Sequence, residues 1–301
     1  MNEYKKFELT SETIVNESGI TLFRIRALMD IEARGVKKGD LGGFVENENN
    51  LSDNAWVYGN ACVYGNAEVS DNARVYGDAC VYGDARVYGN ACVSGNAKVS
   101  DNACVYGDAC VSDNALVSDN AWVYGDACVY GNAWVYGDAR VYGDVLVYGD
   151  ALVYGNVLVY GDTEIYGDAE VFGDARVYGN AWVYGNALVC GDAEVYGDAR
   201  VYGNVLVYDN ARVYDNARVY DNARVYDNAW VFGDAWVFGD ARVYGNAKLT
   251  APAKFTEGRF IGGDDSGKIK DITNLTGSDF WTHQYVLGNY EITPLNAEIK
   301  K

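Results

Sequence analysis

Residues 133–162 read AWVYGD ARVYGD VLVYGD ALVYGN VLVYGD, which is one hexapeptide repeated five times without an insertion or deletion. The unit, Ala-x-Val-Tyr-Gly-Asn/Asp, continues in both directions, and its aliphatic position recurs every six residues from Leu51 to Phe255, an interval of 34 hexads. A repeat this regular indicates one supersecondary unit stacked in register. The sequence therefore specifies an architecture and leaves few positions free for a specific chemical site.

Each hexad combines the alternation of a short strand with the residues of a corner. The small residue, usually Ala, and the aliphatic residue stand two positions apart, so both point to one side of a strand while the variable residue and Tyr point to the other. The Gly-Asn, Gly-Asp or Asp-Asn pair that follows tolerates the positive φ angles of a sharp turn. The sequence predicts a coil with Ala and Val inside, and in a few hexads the small position holds Val145, Val157, Val205 or Thr163.

Strict hexads of this kind resemble the hexapeptide-repeat superfamily, whose fold is a left-handed parallel β-helix with three hexads in each triangular coil. The resemblance covers residues 45–255 and implies an all-β, single-stranded β-helix of about eleven to twelve coils, at eighteen residues a coil. An α-helical interpretation fails because it needs a period near 3.6 residues. The left hand of the coil is implied by the resemblance alone.

Two segments outside the repeat are predicted to be caps. Residues 1–44 lead into the coils through GVKKGDLGGFVENENNLSDNAWVYGNA at residues 35–61, and this segment resembles that of the YdcK-like hexapeptide-repeat proteins of bacteria and phages. Residues 256–301 leave the period after Pro252 and are predicted to form a small α+β or β cap. A solenoid end exposes unpaired strand edges, so both caps are expected to block end-to-end polymerisation.

The superfamily resemblance also implies a possible activity, because its best-known members are trimeric acyltransferases. Those enzymes place a histidine general base in a cleft between the solenoids of neighbouring subunits and bind coenzyme A or acyl carrier protein there. The single histidine here is His283, in the predicted C-terminal cap, and the coils contain none. Since a general base near neutral pH is most readily a histidine, we expect no acyltransferase activity, no catalytic residues and no cofactor or metal.

The charge balance limits the choice of partners. The formal net charge is −19, with Asp concentrated at the corners, so direct binding of nucleic acid is not expected. An acidic solenoid could instead imitate a duplex and occupy the basic groove of a DNA-binding or defence protein, as a phage-borne inhibitor would. The first residues, MNEYKKFELTSET, lack the apolar core of a secretory signal, and no apolar run suggests a membrane span, so a cytoplasmic location is predicted.

The seven cysteines follow the repeat lattice and form no CxxC pair. Six occupy the variable outward position and Cys190 replaces an outward Tyr, so they are interpreted as free surface thiols of a reducing compartment. Cys92, Cys110 and Cys128 are eighteen residues apart and should stack on successive coils within reach of a disulfide. Oxidation or adventitious metal binding at these three residues stays open.

Outward residues whose numbers differ by a multiple of eighteen are expected to lie on the same face, and grouping them in this way separates three faces. The first carries an unbroken Tyr ladder from Tyr88 to Tyr214 and the second an unbroken ladder from Tyr130 to Tyr220, and on both faces charged residues interrupt the row of variable residues beside the ladder. The third face is poorer in charge, and a contiguous apolar strip on a solenoid usually marks an interface. The predicted interface residues are Leu116, Trp134, Tyr136, Leu152, Tyr154, Phe172, Leu188, Leu206 and Tyr208.

A second irregularity is a cluster of small side chains where Ser replaces Tyr beside one corner. This candidate docking notch consists of Cys92, Ser94, Ser100, Cys110, Ser112 and Ser118. It would receive a loop or a partner. Taken together, the sequence favours a non-catalytic structural or protein-interaction solenoid that forms a dimer or trimer, with an acidic inhibitor as the alternative and an acyltransferase as the least favoured.

Overall fold

The computed structural model describes residues 5–249 and five further strands, Lys254–Phe255, Arg259–Phe260, Ile272–Thr273, Val286–Leu287 and Tyr290–Glu291. The chain is an all-β parallel solenoid of about 11 turns with almost no helix, which confirms the predicted class. The left-handed sense of the coil stays a prediction. The chain divides into two compact units, Met1–Gly155 and Asn156–Lys301, and these are described in turn.

The first unit begins with an antiparallel hairpin of β1 (Phe7–Val15) and β2 (Thr21–Ala27). Its turn is closed by Asn16, whose side-chain oxygen accepts hydrogen bonds from the amides of Ser18 and Ile20. A short 3-10 helix, Glu32–Arg34, precedes β3 (Leu41–Val45), and a second, Glu48–Asn50, follows it. Strand β3 is antiparallel to β2 and parallel to the first coil strand of the third face, so the hairpin extends that face.

The coils of the first unit form three parallel sheets. The third face contains β5 (Cys62–Val63), β8 (Cys80–Val81), β11 (Lys98–Val99), β14 (Leu116–Val117), β17 (Trp134–Tyr136) and β20 (Leu152–Gly155). The second face contains β4 (Trp56–Val57), β7 (Arg74–Val75), β10 (Cys92–Val93), β13 (Cys110–Val111), β16 (Cys128–Val129) and β19 (Leu146–Gly149). The first face contains β6 (Glu68–Val69), β9 (Arg86–Val87), β12 (Cys104–Val105), β15 (Trp122–Tyr124) and β18 (Arg140–Gly143).

The second unit repeats this arrangement. Its third face contains β23 (Glu170–Gly173), β26 (Leu188–Val189), β29 (Leu206–Val207), β32 (Arg224–Val225), β35 (Arg242–Val243) and β38 (Arg259–Phe260). Its second face contains β22 (Glu164–Gly167), β25 (Trp182–Gly185), β28 (Arg200–Gly203), β31 (Arg218–Asp221), β34 (Trp236–Val237) and β37 (Lys254–Phe255). Its first face contains β21 (Leu158–Gly161), β24 (Arg176–Gly179), β27 (Glu194–Gly197), β30 (Arg212–Val213), β33 (Trp230–Val231) and β36 (Lys248–Leu249).

The C-terminal strands depart from the eighteen-residue register. Val243 pairs with Phe260, one residue short of the regular separation, so the parallel ladder continues one strand beyond Phe255. Strand β39 (Ile272–Thr273) is antiparallel to β38, and β40 (Val286–Leu287) pairs with β41 (Tyr290–Glu291). The predicted α+β or β character of residues 256–301 stays a prediction, because most of that segment lies outside the described residues.

Alanine and valine fill the interior as the alternation predicts. The Ala and Val side chains of the coils between Ala61 and Ala247 have at most 1% solvent exposure. Thr163 replaces Ala in one hexad and is fully buried. Its hydroxyl donates a hydrogen bond to the Tyr160 carbonyl oxygen at 2.9 Å. Burying apolar surface continuously along the coil is the main stabilising contribution of this fold.

The backbone geometry of the corners explains why each hexad ends in Gly-Asn, Gly-Asp or Asp-Asn. Gly137 has φ 72°, and a Cβ there would lie 2.8 Å from the backbone nitrogen of Gly155 on the next coil. Where Asp replaces Gly, as at Asp119 with φ 56°, its carboxylate accepts a hydrogen bond from the Gly137 amide at 3.0 Å. Side-chain amides add a second ladder, in which Asn96 donates to Asn114 and Asn114 donates to Asn132.

Candidate functional site

The predicted interface begins in the first unit with three register neighbours on the third face. Leu116 pairs with Trp134, and Trp134 pairs with Leu152. Trp134 is 47% exposed, the largest exposed fraction of any large hydrophobic side chain in the described repeats, and the two leucines are half-buried. We call Leu116, Trp134 and Leu152 the third-face row. Beside it, Tyr136 and Tyr154 stack with their ring centroids 4.9 Å apart.

The second unit carries the other predicted interface residues. Leu188 pairs with Glu170 on one side and with Leu206 on the other, and Leu206 pairs with Arg224. Phe172, Leu188, Leu206 and Tyr208 are all half-buried. Charged residues therefore border the apolar pair on both sides.

Low charge does not by itself distinguish the third face. In the first unit the second face presents Cys92, Cys110, Cys128 and Leu146 in register, and none of them carries a fixed charge. The third-face row differs in the size of its side chains, because Leu, Trp and Leu offer far more apolar surface than Cys. The expectation that no other face is as poor in charge is wrong for the first unit.

The Tyr ladders occur as predicted within each unit. On the first face Tyr88, Tyr106, Tyr124 and Tyr142 stack with centroids 4.7–4.8 Å apart and ring planes within 7°. Desolvation in the second unit's ladder raises the pKa of Tyr178 to about 12, so the phenol of Tyr178 stays neutral near pH 7. Because the ring faces cover one another, the ladders present hydroxyls and ring edges to solvent.

The candidate docking notch is partly filled. Cys92, Ser94 and Ser100 are buried, with 7%, 8% and 3% exposure, whereas Cys110, Ser112 and Ser118 are half-buried. The Tyr76 hydroxyl lies beside Cys92 and Ser94, and interaction with the Cys92 thiol raises the pKa of Tyr76. The notch is therefore covered by Tyr76 at one end and open at the other, which the one-dimensional repeat could not indicate.

The interpretation of all seven cysteines as free thiols is wrong for one pair. Cys62 and Cys80 form a disulfide on the third face, with Cα atoms 4.8 Å apart. Register pairing of β5 with β8 brings the two residues directly beside each other. The remaining cysteines, Cys92, Cys104, Cys110, Cys128 and Cys190, are free.

A cleft of about 420 Å³ near the start of the first unit was not predicted. Phe7, Ile31, Leu51 and Trp56 form its apolar wall, and Lys5 and Lys6 stand at its rim. Lys5 pairs with Glu48, and Lys6 donates to the Asn54 side chain at 3.1 Å. Sequence reasoning missed it because the cap has no period from which neighbours could be inferred.

Two further kinds of feature are absent from the part of the chain that the structure describes. Within residues 5–249 and the five further strands, no group of three or more His, Cys, Asp or Glu side chains is placed to hold a metal ion. The helices among the described residues are too short to span a membrane. His283 lies outside the described residues.

The repeated coils and register define the class of protein, a parallel β-solenoid. Matches to the YdcK beta solenoid repeat occur at residues 67–83, 79–95, 85–101, 109–125, 133–149, 169–185, 175–191, 193–209, 206–220, 211–225 and 217–233. The chain belongs to the β-solenoid repeat proteins of the YdcK type, as its resemblance predicted.

Two other comparisons add little to this assignment. A search of curated proteins gave no match. Among solved structures, the chain is similar to a proposed acetyltransferase from Desulfovibrio desulfuricans G20, with 11% identity, a TM-score of 0.25 and coverage of 73% of this chain and 70% of that one.

Proposed function

We propose that the protein is a non-catalytic β-solenoid scaffold that self-associates through the third face. The observation that carries this proposal is the third-face row, where an exposed Trp134 stands between two leucines in strict register. Aromatic and aliphatic side chains on a flat surface are typical of the centre of a protein interface. The other strongly exposed Trp of the repeats, Trp122, has the guanidinium of Arg140 over its ring at 5.4 Å instead.

Electrostatics favours a second copy at an uncharged row, such as the third-face row, over the charged rows of the surface. Each chain carries a net charge of −19, so two copies repel each other wherever acidic residues meet. The third-face row has no charge of its own, so contact there adds no repulsion from the row itself, and its apolar area distinguishes it from the equally uncharged cysteines of the second face. Association through the third-face row removes Trp134, the most exposed Trp of the described repeats, from water.

The test compares two double variants with equal added charge. Leu116→Glu with Leu152→Glu places carboxylates on both sides of Trp134, whereas Leu146→Glu with Leu158→Glu places them on the second and first faces. All four leucines are half-buried, which matches the two pairs. Sedimentation should show a monomer for the first variant and the wild-type mass for the second, with the β-sheet circular dichroism retained in both.

Equal behaviour of the two variants would contradict the assignment of the interface to the third face. A shift to monomer only in the Leu146/Leu158 control would place the interface elsewhere. If the first variant alone loses the β-sheet spectrum, Trp134→Ala replaces it in the test. This substitution removes apolar area without adding charge and should weaken the dimer or trimer.

An acidic inhibitory role is a second candidate, supported by a column of carboxylates. Asp108, Asp126 and Asp144 occupy equivalent corners of successive coils, and desolvation together with a hydrogen bond to Asp144 raises the pKa of Asp126. Such a column would face a basic groove. Wild-type protein should then release a histone from labelled duplex DNA, and replacing the three Asp residues with Asn should abolish the release, whereas equivalent changes at Asp78, Asp84 and Asp138 should have less effect.

Acyl transfer is the third candidate and the least supported. No described residue offers a histidine, and the only one in the sequence is His283. We expect no turnover of acetyl-coenzyme A by the pure protein. Turnover that His283→Ala abolishes would establish an enzyme in place of a scaffold.

A further inference from the structure

Three free cysteines stand in one register on the second face of the first unit. Cys92 on β10 pairs with Cys110 on β13, and Cys110 pairs with Cys128 on β16. Cys92 is 7% exposed, while Cys110 and Cys128 are half-buried and reach solvent. We call Cys92, Cys110 and Cys128 the thiol row.

The chain itself demonstrates what two register neighbours of this kind can do. Cys62 and Cys80 have the same eighteen-residue separation and the same parallel pairing, and they are bridged with a Cα–Cα distance of 4.8 Å. Adjacent strands of any sheet lie about 4.7–4.9 Å apart, which falls within the range of about 4.4–6.8 Å that disulfides span. The geometry of the thiol row therefore accepts a bridge without moving the backbone.

The pKa values of the thiols differ from one end of the thiol row to the other. Cys110 Sγ donates to the Asp108 carbonyl oxygen at 3.8 Å, and turning this S–H toward the neighbouring sulfur lowers the pKa of Cys128 to about 7. When protonated, Cys128 can donate instead to the Asp126 carbonyl oxygen, 3.7 Å from its Sγ. At the other end, the bond with Cys110 and burial beneath Tyr76 raise the pKa of Cys92. The nucleophilic sulfur thus lies at the exposed end of the row.

We propose that Cys110 and Cys128 form a thiol–disulfide exchange site that reacts with low-molecular-weight disulfides. The Cys128 thiolate attacks one sulfur of the small disulfide, forming a mixed disulfide and releasing one small thiolate, which takes a proton from water. Cys110 then loses its proton to water, and its thiolate attacks Cys128 Sγ and breaks the mixed disulfide, releasing the second small thiolate, which also takes a proton from water. Two protein thiols are oxidised to one bridge, and one small disulfide is reduced to two thiols.

The direct test treats the reduced full-length protein with glutathione disulfide, quenches with an alkylating reagent and maps the products after cleavage at aspartate. Cleavage before Asp113, Asp119 and Asp126 separates Cys110 from Cys128, so their bridge appears as a cross-linked peptide pair. Cys104 is the matched control, because it is also half-buried but has Arg86 and Trp122 as register neighbours. Burial raises the pKa of Cys104, which should slow it at neutral pH.

We expect a Cys110–Cys128 bridge in the wild type and only a mixed disulfide at Cys104. At pH 7 Cys128 should react roughly five- to tenfold faster than Cys104, since its larger thiolate fraction outweighs its lower nucleophilicity. Cys110→Ser should trap the mixed disulfide on Cys128, and Cys128→Ser should suppress the fast reaction. Equal rates at Cys104 and Cys128, a persistent mixed disulfide on wild-type Cys128, or a bridge confined to Cys92 and Cys110 would overturn the proposal.

Discussion

The interior positions of the coil tolerate very little change in side-chain volume. Ala139 and Val141 have no solvent exposure, and the backbone of Ala139 accepts a hydrogen bond from the Trp122 amide at 2.8 Å. A close-packed interior tied to the next coil in this way cannot expand locally. Tyr142, in the same hexad, lies outside and stacks on Tyr124.

Ala139→Leu should therefore destabilise the first unit more than Tyr142→Ala does. Overpacking costs about 1–3 kcal/mol, whereas losing one ring from a ladder leaves the other rings stacked. Hydrogen exchange should show lost protection at the neighbouring coils only, because each coil contacts just its neighbours. Similar losses for the two variants would mean that the Ala row does not face inward.

At the corners the choice between Asp and Gly has a separate physical basis. Asp119 has a left-handed φ of 56°, and its carboxylate bonds to the Gly137 amide. Asp119→Ala keeps the unfavourable backbone angle and loses the bond, while Asp119→Gly loses the bond but removes the strain. In denaturant unfolding, the Ala variant should be less stable than the Gly variant by about 1 kcal/mol. Equal stability would show that the left-handed corner costs nothing here.

At the scale of elements, the N-terminal cap adds three strands to the sheet of the third face. Strand β2 is antiparallel to both β1 and β3, and β3 is parallel to the coil strand β5. Gly43 of β3 crosses the first coil so closely that a Cβ there would lie 2.5 Å from the Ala61 carbonyl oxygen. Arg24 of β2 donates to the Gly42 carbonyl oxygen at 2.8 Å and lies over the Phe44 ring at 4.3 Å. These contacts hold the hairpin against the coil end.

Leu22→Ala should loosen this cap selectively. Leu22 is fully buried and packs with Phe44 and Cys62, so its truncation should cost about 2–5 kcal/mol of local stability. Amide exchange should rise in β1 and β2 and stay unchanged in β14 and β17, whereas Ile14→Ala, at 38% exposure, should have little effect. An even rise across the first unit would show that the cap and coils unfold together.

The contrast between coils and cap explains what could be predicted from the sequence. In the hexads, the alternation of two residues determines which side chain points inward, so the burial of Ala139 or Val141 follows from position alone. In the cap, the pairing of Phe7 with Ala27 depends on a turn and on long-range contacts that have no period. The Cys62–Cys80 bridge was missed for a different reason, because spacing brings the thiols together without indicating whether they are oxidised.

At the scale of the whole molecule, the repeat supplies shape and charge but selects no partner. Every coil offers similar outward side chains, and the third-face row stands out only by the apolar surface of Leu116, Trp134 and Leu152. The interface stays a prediction because its strength depends on a second surface that one chain cannot provide. Because each chain carries a net charge of −19, two copies repel each other, and any association should strengthen as salt screens this repulsion.

The central claim is that this solenoid associates with itself, and sedimentation equilibrium of the wild-type protein tests it most directly. Between low and high micromolar concentration, the mass should rise from the 32.9 kDa of one chain to twice or three times that value, with larger association at higher salt. A mass that stays at 32.9 kDa throughout the range, at low and high salt alike, would contradict the claim.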